Sequence, residues 1–221
     1  MTDAREIELV FLIADLSGYT ALTEAHGNIS AAKVVARYIE MVNEALHPNA
    51  QLVEKIGDEV LIVSANAAGT IQTAIELRDT IEMEPLFPSV HAGIHAGKTL
   101  KQGDHYFGSA LNLTSRVAAH ARSGQILCTE QVINLAGRLD NAKYRSLGLT
   151  SFKNIIDPIA IFEVVTEELR PEIKLVDPVC RMQIKQDTAP ASLPYQGTTY
   201  YFCSFDCVKA FVIHPDRYIE S

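Results

Sequence analysis

The stretch Phe11-Leu-Ile-Ala-Asp15-Leu-Ser-Gly18-Tyr19-Thr20 limits the possible folds of this chain most. An apolar run reads as a buried strand, ends in one carboxylate, and turns at once through Ser17 and Gly18. Asp15 is therefore expected at the mouth of a strand, beside backbone carbonyls that the turn leaves free. A second strand-like segment carries Lys55-Ile-Gly57-Asp58 at its turn. Two aspartates on adjacent strand ends make an oxygen-rich site suited to hard divalent ions such as Mg²⁺. Such a site fits phosphoryl transfer, where metals hold phosphates and polarise the attacking oxygen.

Periodicity orders the rest of the chain around this site. Residues 7–15 form the first strand. From Tyr19 onward Leu22, Val34, Val35, Tyr38, Ile39, Val42 and Leu46 recur at helical spacing, with Gly27 and Asn28 dividing two helices and His47-Pro48-Asn49 ending them. Residues 51–64 read as two strands joined at Gly57-Asp58, and 66–83 as a helix stopped by Pro85 and Pro88. Ser89 to Gly97 alternates as a strand, Gly108 to Ala121 is helical, and Gln125 to Thr129 is extended. A short helix and strands at 143–150 and 159–165 close the unit. The order β-α-α-β-β-α-β-α-β predicts an α/β (α+β) sandwich of the ferredoxin-like kind, with helices on one face of a mainly antiparallel sheet.

Thr166 to Lys174 is charged and contains Pro171, as a linker does, and from Asp177 cysteine, tyrosine and phenylalanine become frequent. The expected division is a domain at 1–166, a linker at 167–176 and a small module at 177–221. The formal charge of −8 argues against a broad nucleic-acid-binding face. The N-terminus lacks an apolar signal core and no run is long enough to span a bilayer, so a soluble, cytoplasmic protein is expected. Cys128, in an apolar strand-like context, reads as a buried small hydrophobe. Cys180, Cys203 and Cys207 cluster near the end, which in a cytosolic chain suggests a metal site more than disulfides.

Taken singly, each polar residue of interest has a plain turn or surface explanation. Together they resemble the catalytic domain of class III nucleotidyl cyclases over roughly residues 7–165. Phe11-x3-Asp15-Leu-x-Gly18-Tyr-Thr is similar to the first metal motif, with a longer gap between its Phe and Asp than the usual Phe-x-Asp form. Gly57-Asp58 is similar to the second, 43 residues on from Asp15 to Asp58. Tyr106-Phe107-Gly108-x3-Asn112-x3-Arg116 is similar to the transition-state motif. Phe152-Lys153-Asn-Ile-x-Asp-Pro158 is similar to a late lysine segment that holds phosphate. The resemblance implies that Asp15 and Asp58, helped by the Leu16 carbonyl, hold two Mg²⁺ or Mn²⁺ ions. It implies that Asn112 positions the ribose, Arg116 neutralises charge on the α-phosphate, and Lys153 binds the β- and γ-phosphates of a nucleoside triphosphate. It also implies a homodimer with shared active sites, since the aspartates come from one subunit and the Asn/Arg pair from the other.

The base-reading positions depart from the adenylate-making pattern, which places a lysine four residues before the second aspartate. Glu54 stands there and can only accept hydrogen bonds when ionised, which suits guanine or a pyrimidine. The second base-reading position is His105, with Asp104 beside it. The family base rate favours ATP, while GTP and pyrimidine triphosphates stay open. The segment from about 175 to 221 resembles the YHS/TRASH type of metal-associated module. Its Cys180-x22-Cys203-x3-Cys207 pattern suits Zn²⁺ or Cu⁺, with Met182, Asp177 or His214 as candidate fourth ligands. The alternative is a non-catalytic metal-sensing protein that uses this module.

Overall fold

The run from Val10 to Ala14 is buried throughout, because the strand that carries it is covered on both faces. This strand, β1 (Arg5–Leu16), pairs antiparallel with β3 (Glu59–Ser64) on one side. On the other it pairs antiparallel with β4 (Val90–Gln102) along its whole length, from Arg5↔Lys101 to Leu16↔Val90. A strand covered on both faces reads as a continuous apolar run, not as an alternating one. The computed structural model describes residues 5–103, 105–166 and 175–219.

The sheet extends outward from this pair. Its order is β2 (Gln51–Ile56), β3, β1, β4, β6 (Ile126–Thr129), β8 (Ile159–Val165) and β7 (Lys143–Thr150). Short β5 (His105–Phe107), which the sequence did not signal, folds back on the end of β4. β4 and β6 run parallel and the other pairs antiparallel. The sheet is thus mainly antiparallel, as expected.

Alternation along β1 divides the core in two. Val10, Leu12, Ala14 and Leu16 pack with α1 (Tyr19–Ala45), α2 (Ala67–Met83) and α4 (Glu130–Ala136). Phe11 and Ile13 pack with Leu61, Val63, Ala110 and Ala118, the last two from α3 (Ser109–His120). The expectation that all helices share one face is therefore corrected: α3 lies on the other. Glycines in β4 let it settle there. A Cβ on Gly93 would lie 2.2 Å from the Ala118 backbone nitrogen, and one on Gly97 would lie 3.1 Å from Ala110 Cβ. Backbone packs directly on backbone at Gly93, which only glycine allows.

The expected break in the first helix is present. Gly27, at φ 75° and ψ 164°, interrupts the helical course of α1, so His26 is the last residue of its first segment. Most of the expected linker, residues 167–174, lies outside the described residues. Leu175 and Val176, also assigned to it, pair as β9 with β10 (Gln183–Ile184). The hairpin of β11 (Ala191–Tyr195) and β12 (Thr198–Phe202) and the helix α5 (Phe205–Ile213) complete this unit. Phe211 sits in its core, with Tyr195, Tyr200, Phe202 and Tyr218 around its ring. The unit docks on the sheet domain near the end of β1. Gln183 N–H donates to the Phe87 carbonyl at 3.1 Å, and Met182 bridges to Pro88. No helix among the described residues is long and apolar enough to cross a membrane.

Candidate active site and thiol cluster

Asp15 and Asp58 meet at one end of the central strands. Asp15 follows Phe11 and Ile13 on the α3 face of β1, and Asp58 sits with Gly57 (φ 65°) in the turn between β2 and β3. Their carboxyls are close enough to share a hydrogen bond. Burial raises the pKa of both, and the hydrogen bond and charge of Asp15 push Asp58 up to about 7. Glu59 adds negative charge, its own pKa raised by burial, Asp58 and Glu54. Asp15 Oδ1 is buried and has no hydrogen-bond partner, and the same holds for the Tyr38 hydroxyl. A buried, unpartnered carboxylate oxygen costs free energy unless something positive reaches it. The donor set of two carboxylates and nearby carbonyls fits hard divalent cations.

His91 is the site residue that the sequence reading missed. It lies opposite Asp15 in the β1–β4 register, with its Nε2 3.9 Å from Asp15 Oδ2 and its Nδ1 3.2 Å from Ser17 Oγ. Burial lowers its pKa, partly offset by Asp58, and its contacts orient the Asp15–Ser17 turn. The alternation of Ser89 to Gly97 held the signal, but only the strand register places this histidine against Asp15. The same turn is pinned by Ser17 N–H, which donates to the Ser89 carbonyl at 2.7 Å.

The remaining expected residues stand apart from this carboxylate pair. Asn112 and Arg116 are both exposed on α3, on one helical face, as their spacing requires. Lys153 is exposed in the loop before β8. Among the described residues, none of these three side chains makes a hydrogen bond or ion pair in the chain. Glu54 is exposed on β2, where the register shifts between Leu52 and Glu54. Such a bulge re-aims a side chain, here beside Glu59. His105 is exposed on β5, and Asp104 lies outside the described residues.

The second cluster joins Cys180, Cys203 and Cys207 with an unforeseen partner, His26. One ligand atom from each lies within 4.8 Å of all the others. The three cysteines are buried and carry no disulfide. Asp177 is not the fourth donor. Its Oδ1 accepts from the backbone N–H groups of Val179 at 2.8 Å and Cys180 at 3.3 Å, and its Oδ2 from that of Cys203 at 2.8 Å. It is a buried crossbar between the two cysteine loops. His214 caps the end of α5 and is exposed, and Met182 bridges to Pro88. Among the His, Cys, Asp and Glu side chains of the described residues, neither Asp177 nor His214 joins the three cysteines, and His26 does. No spacing rule could have found it, because it comes from α1, far from the cysteines in sequence. Hydrogen bonds from Cys180 and Cys203 pull the Cys207 thiol below its ordinary range, whereas Cys180 is pushed above it. The cluster can hold a metal ion.

Comparison with known proteins agrees with both halves. Residues 175–221 match the YHS domain family. A pH-sensitive adenylate cyclase of Mycobacterium tuberculosis is 26% identical over 164 residues, covering 73% of this chain and 41% of that protein. Among solved structures, the adenylyl cyclase CyaB of P. aeruginosa superimposes with a TM-score of 0.67 at 18% identity, covering 75% of this chain and 97% of the other. The guanylyl cyclase Cya2 does so at 0.65 and 20% identity, covering 77% and 98%. The sheet domain has the fold of class III adenylyl/guanylyl cyclase catalytic domains. The C-terminal unit is a YHS domain. The chain spans about two fifths of the length of the first curated relatives it matches, 41% and 39%.

The raised carboxyl of Asp58 has a testable sign. The folded chain binds more protons than the unfolded chain between the ordinary carboxylate range and about pH 7. Stability from this pair is therefore highest in acid and falls as pH rises through that window. In metal-free protein, urea denaturation at pH 5 and pH 8 should show this loss, and Asp58→Asn should flatten it. An equal pH slope in the variant would show that the pair holds no shared proton.

Proposed function

We propose that this protein is a class III nucleotidyl cyclase that converts a nucleoside triphosphate to a 3′,5′-cyclic nucleotide and pyrophosphate, working as a homodimer. The observation that carries this reading is the Asp15–Asp58 pair: two half-buried carboxyls close together, one with a buried, unpartnered oxygen, at the end of a cyclase-type sheet. Two Mg²⁺ or Mn²⁺ ions, when bound there, lower the pKa of the ribose 3′-hydroxyl and bind the triphosphate.

The protein's own groups do the rest. Asp15, Asp58 and the Leu16 carbonyl hold the cations, and His91 with Ser17 holds the Asp15 turn in place. Asn112 orients the ribose so that its 3′-oxygen lies in line with the α-phosphorus. The 3′-hydroxyl gives its proton to solvent, its oxygen bonds the α-phosphorus, the bond from that phosphorus to the β-phosphate's bridging oxygen breaks, and pyrophosphate leaves. Arg116 balances the charge that grows on the α-phosphate, and Lys153 holds the β- and γ-phosphates as a point charge. Exposure of Asn112, Arg116 and Lys153, with no partner for their side chains among the described residues, supports a site that a second subunit completes. Glu54 accepts hydrogen bonds from the base, with His105 and Asp104 next to it.

Two results are expected from variants. Asp58→Ala and Arg116→Ala should each abolish or nearly abolish turnover, the arginine by about 10³-fold or more by analogy with other charge-stabilising arginines. Mixed in one solution, the two variants should recover part of the wild-type rate, because one of the two interfacial sites then keeps every group. Mixed dimers that stay inactive would contradict shared sites. Glu54→Lys should shift preference toward ATP by about 1–3 kcal/mol, on the scale of a base-edge contact, because lysine can donate to adenine N1. Relative turnover of the four nucleoside triphosphates measures this, and unchanged ratios would move base selection to His105 and Asp104.

A further inference from the structure

The YHS unit and the cyclase domain meet at the thiol cluster, and the fourth corner of that cluster belongs to the cyclase domain. His26 Nε2 lies 3.4 Å from Cys203 Sγ and 3.6 Å from Cys207 Sγ. Cys203 Sγ lies 3.4 Å from Cys180 Sγ and 3.6 Å from Cys207 Sγ. A tetrahedral Zn²⁺ with bonds of about 2.3 Å to sulfur and about 2.0 Å to nitrogen has S···S edges of about 3.8 Å and S···N edges of about 3.5 Å. Four of the six donor–donor distances are thus near the edges that one ion needs, and all six lie within 4.8 Å. We propose that His26 is the fourth ligand of a closed Cys₃His zinc-type site, and that the ion staples the YHS domain to the first helix of the cyclase domain.

Local structure supports each corner. Gly27 ends the first segment of α1 with a left-handed φ of 75°, which leaves His26 at the helix end facing the module. Ala25, its neighbour, packs against the module core. Ser204 caps α5 by accepting from Cys207 N–H at 3.2 Å, which sets Cys207 in the first helical turn. The Asp177 crossbar fixes the loops of Cys180 and Cys203 to each other. All three thiols are buried, so the site has no open position for substrate. That is the character of a structural metal site and not of a catalytic one.

The staple acts on a particular place. α1 starts directly after the turn that carries Asp15. The module also presses on that turn: a Cβ on Gly18 would lie 2.5 Å from Arg181 Cβ. Gln183 and Met182 bond to Phe87 and Pro88, next to Ser89, which pins Ser17. A module of this size has little core of its own, so metal binding contributes to its folding and to its docking together. A metal bound only by the three cysteines would fold the module without fixing it to α1.

The full chain, purified under reducing conditions and stripped of metal, provides the test. Zn²⁺ is titrated against a chromophoric chelator, and Co²⁺ serves as a spectroscopic substitute. Wild type should bind one ion per chain with an intense four-coordinate Co²⁺ spectrum. His26→Ala should bind at least about tenfold more weakly, since even outer-shell changes at metal sites cost 10–100-fold. In hydrogen exchange, Zn²⁺ should slow the amides of residues 19–27 in wild type and leave them unchanged in His26→Ala. Because His26 is half-buried, metal-free His26→Ala should still melt cooperatively with at most a small downward shift, which separates ligand loss from misfolding. Equal Zn²⁺ affinity in His26→Ala, unaltered exchange at 19–27 on loading, or a Cys180–Cys203 disulfide in place of the ion would each overturn the proposal. None of these readouts involves turnover, so the result stands apart from the cyclase reading.

Discussion

The full-length antiparallel pairing of β1 with β4 is the constraint on which the rest of the structure depends. It sets Asp15 opposite His91 and fixes which β1 side chains face α3. It also lines up Gly93 and Gly97 on that face, so that α3 can lie directly against the sheet. A slip of β1 by one residue would send Asp15 to the other face with the strand's whole hydrophobic set and part it from His91. Because both sides of β1 are buried, such a slip would put Asp15 into the core under α1 and α2. Register and site geometry are thus one and the same requirement.

The site at the end of this pair is not optimised for the stability of the chain by itself. Asp15, Asp58 and Glu59 gather negative charge where burial weakens hydration, and Asp15 Oδ1 and the Tyr38 hydroxyl stay without partners among the described residues. Natural folds tolerate such groups mainly where function uses them. Under the proposed function, divalent cations bound there would match the charge and fill the empty acceptor. The thiol cluster follows a similar logic with softer donors. Three buried sulfurs meet an imidazole, and the loops of Cys180 and Cys203 are held together by a carboxylate that accepts from their backbone N–H groups.

Much of this was legible in the residues. The apolar run ending at Asp15 and the Gly57–Asp58 turn marked both carboxylates. Gly27 marked the break in α1, and the strands at 143–150 and 159–165 fall where alternation placed them. The side of the sheet on which α3 lies was not legible, because periodicity identifies a helix's apolar face without saying which face of a sheet it meets. The three-residue β5 is too short to show a period. His91 and His26 escaped for a shared reason. Their importance arises from neighbours distant in the chain, Asp15 across a strand pair and three cysteines across a domain boundary, and local spacing carries no trace of either.

The central claim is that the Asp15–Asp58 pair serves cyclisation of a nucleoside triphosphate. It is tested most directly by incubating the purified full chain with ATP, GTP, CTP and UTP separately, each with Mg²⁺ and with Mn²⁺, and quantifying both products. The account predicts a 3′,5′-cyclic nucleotide from at least one triphosphate, with one pyrophosphate released per cyclic product. Hydrolysis to a diphosphate and inorganic phosphate, or no turnover of any of the four by folded protein, would contradict it.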